Sequence, residues 1–423
     1  MKRLFTIRGT LEERVTYFHL LAFLVSLPFD RFYSQLLLVS LLLHTIFHTN
    51  VQGLKRLPRL QNVILSSVIL LNIISLLYSP DKGQGYKDIQ RQLAILLFPI
   101  LFSLSNFPFA LHRKKLLLGF ALACTMVIAY LYIDAVRVIN FNNLPPRALL
   151  SVLFINHNFS SPIGIHATYL SLGVALSIVI FTINFLDGGN RRSRFLYASA
   201  IILLSAGLVQ LASRSVMIAL GIAALLLPFF INDKKRRLQF VLAALLFAVV
   251  AVTGIVSVDS FRKRYVVELK DDLTQSRLNS ELLEPRITRW NIAWKLIEKR
   301  TIAGYGSGTE KKLLKDEYFR KKLYISYLRE LNAHNQYLSI WLKTGVIGLL
   351  IFLFTLLYGF QKAIRNRDSL FFFFMLLISI VAFSENLLDV NKGIFFYAFF
   401  FTFFMVTSKP KGELARLEQQ NET

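Results

Sequence analysis

The sequence predicts an all-α polytopic membrane protein of about twelve transmembrane helices, with one long, mostly helical loop. Of its 423 residues, 54% are hydrophobic and 17% are charged, whereas a soluble domain carries roughly 25% charged residues. Apolar stretches of about 17 to 25 residues recur along the chain, each long enough to cross a hydrocarbon core about 30 Å thick. These observations exclude an ordinary soluble enzyme.

Twelve spans are predicted, and the long loop separates the ninth from the tenth. The first nine fall within residues 1–257, the loop covers 258–336, the last three spans fall within 337–408, and 409–423 form a tail. The spans follow the apolar runs, which makes each a candidate transmembrane helix. They are 15–29, 32–48, 62–78, 92–106, 115–136, 166–186, 195–213, 215–231, 238–257, 337–360, 369–387 and 393–408.

Basic residues are distributed unevenly between the two sides of the predicted bundle. With a cytoplasmic N-terminus, the inner segments hold 23 Lys and Arg, and the short outer connections hold 8. This is the positive-inside pattern, and it predicts that both termini are cytoplasmic. The formal net charge of +24 is therefore interpreted as a topology signal, and no nucleic-acid partner is expected.

The loop 258–336 is the expected location of function. It carries 17 basic and 11 acidic residues, and a translocated loop of this length lies outside the positive-inside rule. The centres of the predicted spans carry no Asp, Glu, Lys or Arg, although ion-coupled carriers use such groups at the membrane midplane. The polar chemistry is therefore expected at the outer face, and a secondary transporter is disfavoured.

An amphipathic helix is predicted in the loop directly after Pro285. Apolar residues recur at positions 287, 290, 294 and 297, which is helical spacing and predicts one stripe of Ile and Trp that packs on the bundle or in the headgroup layer. Arg286 and Arg289 are three residues apart and are expected on one side of this helix.

A glycine alternation, Gly304-Tyr-Gly306-Ser-Gly308, follows this helix. It permits two interpretations, a turn that stops the helix or a loop that cradles phosphate, and no strand precedes it as a dinucleotide fingerprint would require. A second, highly charged helix is predicted over 309–330. If the helix of the tenth span has already begun at residue 334, His334 and Tyr337 share one of its faces.

Two further arginines lie at the predicted outer boundary. Arg214 occupies a very tight connection between two spans, and Arg91 opens the fourth span. Each can be a lipid anchor that reaches the headgroup phosphates or a bidentate donor to a diphosphate. Three histidines, His157, His166 and His334, are also placed outside. Their spacing lacks a metal-ligand pattern, so no metal is expected.

Several motifs in order resemble the O-antigen ligase and O-antigen polymerase superfamily. They are Ser213-Arg214-Ser215, Arg286-x-x-x-Trp290 before the glycine alternation, His334-Asn335-Gln-Tyr337-Leu, and Gly345-x-x-Gly348 in the next span. The resemblance is strong over about 205–350. The remaining spans, including the region of Ser384-Glu385-Asn386, agree in number and topology.

The resemblance implies a GT-C-like, metal-independent and inverting glycosyltransferase without a cofactor, at the periplasmic face of the bacterial inner membrane. Its partners would be membrane lipid, a glycan donor on undecaprenyl diphosphate, and an acceptor. A ligase uses the lipid A core as acceptor, and a polymerase uses a growing glycan. Ligase is favoured, with polymerase, an exopolysaccharide relative or a protein O-oligosaccharide ligase as alternatives, and a non-catalytic transporter or flippase as a remote one.

The resemblance also implies roles for individual residues. His334 would take the proton of the acceptor hydroxyl as the catalytic base, a task that suits an imidazole. The basic residues would hold the diphosphate, because fixed positive charge stabilises developing negative charge; they are Arg214, Arg286, Arg289 and Arg91. Supporting roles are expected for Tyr337, Asn335, His166 and Glu385.

Overall fold

A computed structural model of the protein describes residue 7 and residues 9–29, 31–49, 51–273 and 285–410. Within these ranges the chain is helical and contains no strand. The α-helices are α1 Leu11–Ser26, α2 Arg31–Phe47, α3 Val51–Leu54, α4 Leu60–Leu76, α5 Lys82–Leu104, α6 Phe109–Phe141, α7 His157–Ser160, α8 Ala167–Leu186, α9 Arg191–Leu211, α10 Arg214–Leu226, α11 Lys234–Ser257, α12 Asp259–Arg262, α13 Glu268–Leu273, α14 Arg286–Lys299, α15 Glu310–Arg320, α16 Tyr324–Leu328, α17 Gln336–Arg365, α18 Ser369–Val381 and α19 Asn391–Thr407.

Shorter helical turns connect several of these helices. One π-helical turn follows α12 at Lys263–Val267. The 3₁₀ turns are Pro146–Leu150, Val152–Phe154, Ser161–Ile163, Leu227–Phe230 and Leu387–Asp389. Two parts of the sequence prediction fall outside the described residues, namely 274–284 of the loop and 411–423 of the tail.

Each predicted span overlaps a helix of the structure. Five helices, α6, α8, α9, α11 and α17, are long and apolar enough to cross a membrane. Shorter apolar helices lie at 32–47, 60–76, 214–230, 369–381 and 391–407. The all-α polytopic membrane class is confirmed, and the count of twelve spans stays a prediction.

Side-chain caps determine where several helices begin. Thr10 and Glu13 form a capping box at the start of α1. The side chain of Asp233 accepts a hydrogen bond from the Arg236 amide at the start of α11, and Asp368 accepts one from the Phe371 amide at the start of α18. Because the first amides of a helix lack intrahelical partners, these caps stabilise the boundaries between loops and apolar helices.

Helix α19 is the central helix of the bundle. Almost all of its side chains are buried, as expected of a helix that is hydrophobic on every face. Its Phe399 packs on Phe23 of α1 and Phe98 of α5, with ring centroids 5.2 and 5.4 Å apart, and Phe404 packs on Phe371 of α18 at 5.6 Å. Aromatic packing therefore joins helices from both ends of the chain.

The loop has a hydrophobic core of its own, which includes the beginning of α17. Ile292 and Ile297 of α14 pack with Leu314 and Tyr318 of α15 and with Leu342 of α17, and all five are buried. The loop is therefore a folded layer over one end of the bundle, called the loop end below.

The face that α14 buries differs from the predicted one. The helix itself is confirmed, but its buried residues are Arg289, Ile292, Ala293, Leu296 and Ile297, and Trp294 is 45% exposed. The predicted stripe consists of the bulky apolar residues. The residues of α14 that contact α15 and α17 lie on the neighbouring face of the helix. Arg286 and Arg289 consequently have different surroundings.

The second helix of the loop differs from its prediction, whereas the start of α17 agrees with the predicted start of the tenth span at 337. The helix predicted over 309–330 is divided into α15 and α16, because the backbone of Lys322 is left-handed with φ 57°. Helix α17 begins only at Gln336, with Asn335 as its N-cap. His334 therefore precedes the helix and does not share a helical face with Tyr337.

The glycine alternation contacts a break in α17. Gly345 interrupts the helix with φ 71° and ψ −175°, a conformation essentially restricted to glycine. The carbonyls of Leu342 and Lys343 near the break accept hydrogen bonds from the amides of Tyr305 and Gly306, at 2.9 and 2.8 Å. The alternation packs on protein backbone here, which supports the turn interpretation rather than a phosphate cradle.

We expect Gly345→Ala to destabilise the protein. A Cβ at this position would lie 1.8 Å from the Ile302 carbonyl oxygen, and the backbone conformation adds roughly 1–3 kcal/mol of strain. Thermal unfolding in detergent measures the effect as a lower apparent Tm. The matched control is Gly221→Ala, where no heavy atom lies within 4 Å of the added Cβ. Equal melting temperatures for the two variants would contradict the role given to the helix break.

Candidate active site

Three ionisable side chains from separate elements meet at the loop end. His334 lies just before α17, Glu385 follows α18, and Arg286 is the first residue of α14. The Nδ1 atom of His334 lies 3.3 Å from Oε2 of Glu385, and Nη2 of Arg286 lies 3.6 Å from Oε1 of the same carboxylate. Arg286 also donates from Nη1 to the Ser384 carbonyl at 2.8 Å. Glu385 therefore joins the predicted base to a predicted diphosphate ligand.

The environment of Glu385 keeps it ionised. Its side chain is 9% exposed, and burial by itself would raise its pKa. The hydrogen bond from His334 and the electrostatic interactions with His334 and Arg286 outweigh burial and hold the pKa of Glu385 below its usual range. The group is thus a carboxylate at neutral pH.

This carboxylate determines which nitrogen of His334 carries the proton. A carboxylate only accepts hydrogen bonds, so the Nδ1 that faces it must donate. In a neutral imidazole the other nitrogen, Nε2, then has a free lone pair. The side chain of His334 is 27% exposed, so it is accessible to a substrate. The pair can therefore accept a proton at Nε2 while the carboxylate stabilises the resulting imidazolium.

The turn that carries His334 is held on both sides. The backbone of His334 is left-handed with φ 48°, and its amide donates to Oδ1 of Asn332 at 3.0 Å. On one side, Trp290 of α14 donates to the Ala333 carbonyl at 3.0 Å. On the other, the Asn335 amide donates to Oδ1 of Asn386 at 2.8 Å. The helix of the loop and the segment after α18 thus fix the backbone of the turn.

Two more histidines lie beside this group. His166 is the N-cap of α8, and its ring lies 4.0 Å from that of His157. Burial and the charge of His157 lower the pKa of His166 to about 4, and the charges of Glu385, His334 and Arg286 also act on it. Burial, followed by the charge of Arg264, lowers the pKa of His157. The neutral form of His166 therefore prevails at neutral pH.

The remaining predicted arginines occupy different environments. Arg214 begins α10 and is half-buried, and its charge acts on buried Tyr265. Arg289 is 1% exposed. Arg91 is exposed and pairs with Asp88 at 3.3 Å on its own helix. Of the four predicted arginines, Arg286 is the one whose recorded contacts reach Glu385.

The predicted supporting residues divide into two kinds. Asn335 caps α17, accepting hydrogen bonds from the amides of Tyr337 and Leu338 at 3.0 and 3.1 Å. Tyr337 donates its hydroxyl to the Ser379 carbonyl at 2.8 Å and so joins α17 to α18. Both residues support the site through its scaffold, whereas Glu385 lies at its centre.

Sequence reasoning gave too little weight to the segment after α18 and missed Arg264. Ser384 and Asn386 contact Arg286 and the His334 turn, respectively. The polar run Ser384-Glu385-Asn386 beside an apolar span was the available signal. Arg264 is in the π-helical turn and belongs to no motif. Among the residues that the structure describes, no group of three or more His, Cys, Asp or Glu could hold a metal ion.

Comparison with known proteins supports the resemblance over the middle of the chain. Residues 198–353 match a family model described as O-antigen ligase, and this range contains Arg214, Arg286 and His334. A protein of Haemophilus influenzae described as uncharacterized is 23% identical over 346 residues, which cover 77% of this chain and 80% of the relative. Proteins of the matched family are glycosyltransferase-like enzymes of glycan assembly. Residues 198–353 are therefore similar to the O-antigen ligase family, and this similarity supports the resemblance that the motifs indicate.

Proposed function

We propose that the protein is an O-antigen ligase, which transfers a finished glycan from undecaprenyl diphosphate to the lipid A core. The family implies a lipid-linked glycan and an acceptor as substrates. The observation that carries the proposal is an imidazole oriented by a buried carboxylate, with an arginine on the same carboxylate. Such a group supplies both a base and positive charge, the two requirements of glycosyl transfer from a diphosphate.

The acceptor half of the reaction is assigned to His334 and Glu385. The acceptor hydroxyl attacks the anomeric carbon, and its proton passes to Nε2 of His334. Glu385 stays ionised and stabilises the imidazolium that forms. The arrangement resembles the carboxylate-oriented histidine of other acyl- and group-transfer enzymes in its division of roles.

The donor half is assigned to the arginines. The bond between the anomeric carbon and the phosphate oxygen breaks, and its electron pair leaves with the diphosphate. Arg286 and Arg214 would neutralise this charge, with Arg289 and Arg91 as less direct contributors, because a planar guanidinium matches phosphate oxygens bidentately. A single displacement inverts the anomeric configuration and needs neither a metal nor a covalent enzyme intermediate.

The proposal also assigns a location. The positive-inside distribution of basic residues supports a multi-pass protein of the bacterial inner membrane with cytoplasmic termini. The loop end, which carries the site, then faces the periplasm. Membrane lipid surrounds the exposed apolar side chains of the bundle, such as Leu245 and Leu246 of α11, which are 58% and 66% exposed.

We expect a deletion strain to lose glycan polymer from lipid A while lipid-linked polymer accumulates. Without the transfer step, the lipid-linked donor is no longer consumed and the lipid A core receives no glycan. Lipopolysaccharide profiles and extracted lipid-linked glycan measure the two pools, and complementation with the wild-type gene is the control. A lipid A core capped by a single repeat unit would instead identify a polymerase, and unchanged profiles would contradict both transferase assignments.

Replacing His334 or Glu385 should slow transfer without removing the protein from the membrane. A general base contributes typically ~10²–10⁴-fold, so His334→Ala should lower the transfer rate of purified protein by about that factor. Glu385→Gln keeps the shape of the side chain but removes its charge, and it should give a rate between those of wild type and His334→Ala.

The matched control is His48→Ala, since His48 is exposed and its Nδ1 donates to the His44 carbonyl of α2 at 2.9 Å. This variant should transfer glycan at the wild-type rate. A wild-type rate for His334→Ala would refute the base assignment. Retention of glycan export in cells carrying that variant would favour a flippase.

A further inference from the structure

A second buried ionic cluster lies next to His334 and Glu385. Lys343 of α17 places Nζ 2.9 Å from Oδ1 of Asp389 and 3.8 Å from Oε2 of Glu310, the first residue of α15. The exposed fractions of the three side chains are 4% for Lys343, 6% for Glu310 and 20% for Asp389. We call Lys343, Glu310 and Asp389 the anchor cluster.

Polar groups around the anchor cluster compensate its burial. The Ser339 hydroxyl donates to Glu310 and, at 3.2 Å, to Oδ2 of Asp389. The Asn386 side-chain amide donates to Glu310 at 3.1 Å and to Asp389 at 3.0 Å. A buried ionic group of this kind is often no more stabilising than hydrophobic residues of similar volume. Its presence therefore suggests a requirement for a specific arrangement.

Hydrogen bonds connect the anchor cluster to the residues next to His334 and Glu385. Oε1 of Glu310 accepts from the Ala333 amide at 3.2 Å, directly before His334. Asn386, held by Glu310 and Asp389, directly follows Glu385, and its Oδ1 accepts from the Asn335 amide at 2.8 Å. The anchor cluster thus holds Ala333 directly, and through Asn386 it holds Asn335. These residues are the neighbours of His334 and Glu385 in the sequence.

We infer that the anchor cluster positions the reaction: Glu310, Lys343 and Asp389 set the distance between His334 and Glu385. None of the three is proposed to touch substrate, so they are positioning residues. The inference rests on the proposed transfer function. It also explains why the His334 backbone keeps its left-handed conformation, since the peptide groups on both sides are held.

The alternative is that the anchor cluster only attaches the loop to the bundle. A matched ion pair elsewhere in the fold separates the two roles. Arg113 donates to Asp368 at 2.6 and 2.7 Å, and this pair lies at the N-terminal end of α18, whereas Glu385 follows its C-terminal end. Loss of either ion pair should lower stability, but only loss of the anchor cluster should disturb the chemistry.

The test compares Glu310→Gln with Asp368→Asn in purified protein. Glu310→Gln keeps an oxygen for the Ala333 amide but removes the charge that faces Lys343. We expect kcat to fall by between tenfold and ~10²-fold, the effect of misplacing a catalytic group by about 1 Å, with KM for donor and acceptor nearly unchanged. Asp368→Asn should retain the wild-type kcat. Ser339→Ala, which leaves every charge in place, should give a smaller decrease and replaces Glu310→Gln if that variant does not fold.

A second readout does not depend on turnover. The rate of His334 modification by diethyl pyrocarbonate, followed by peptide mass spectrometry, should rise several-fold in Glu310→Gln and stay unchanged in Asp368→Asn. Unchanged kcat and unchanged modification in both Glu310→Gln and Ser339→Ala would overturn the inference. If wild-type protein transfers no glycan but the modification rate still responds, the proposed function fails while the positioning of His334 stands.

Discussion

The site depends on one buried carboxylate. Moving Glu385 out of water is unfavourable unless cationic groups and hydrogen bonds compensate it, and its side chain is only 9% exposed. Arg286 and His334 provide that compensation, and they come from α14 and from the turn before α17. The structure must therefore bring three elements far apart in sequence to one point, and the folded loop, the Gly345 break and the anchor cluster all serve this requirement.

The same constraint connects stability to chemistry. The carboxylate that Arg286 and His334 compensate is also the group that fixes the proton on Nδ1 of His334 and leaves the lone pair of Nε2 free. The loop core made by α14, α15 and α17 holds Arg286 and His334 on one scaffold, while the segment that follows α18 supplies Glu385. Glu385 thus holds His334 and Arg286 close together, as the proposed transfer requires.

The positions of the apolar helices could be predicted from the sequence, because apolar stretches of membrane length are a clear pattern. The motifs also single out Arg286 and His334, which the structure brings to the same carboxylate. The central position of Glu385 was not predictable, since 51 residues separate it from His334 and its contacts depend on where α18 ends. On the buried face of α14, the apolar pattern includes Ile297 but not Arg289, because a pattern of apolar residues cannot indicate a buried arginine. The division between α15 and α16 depends on the left-handed backbone of Lys322, for which a lysine gives no signal.

The central claim is that His334 and Glu385 act as one unit, and a double-mutant cycle on the transfer rate tests it most directly. The rates of wild type, His334→Ala, Glu385→Gln and the double variant are measured with the same donor and acceptor. If the carboxylate acts through the imidazole, Glu385→Gln should have little further effect once His334 is alanine, because residues that act as a unit are not additive. Losses that simply multiply in the double variant would show two independent contributions and contradict the account.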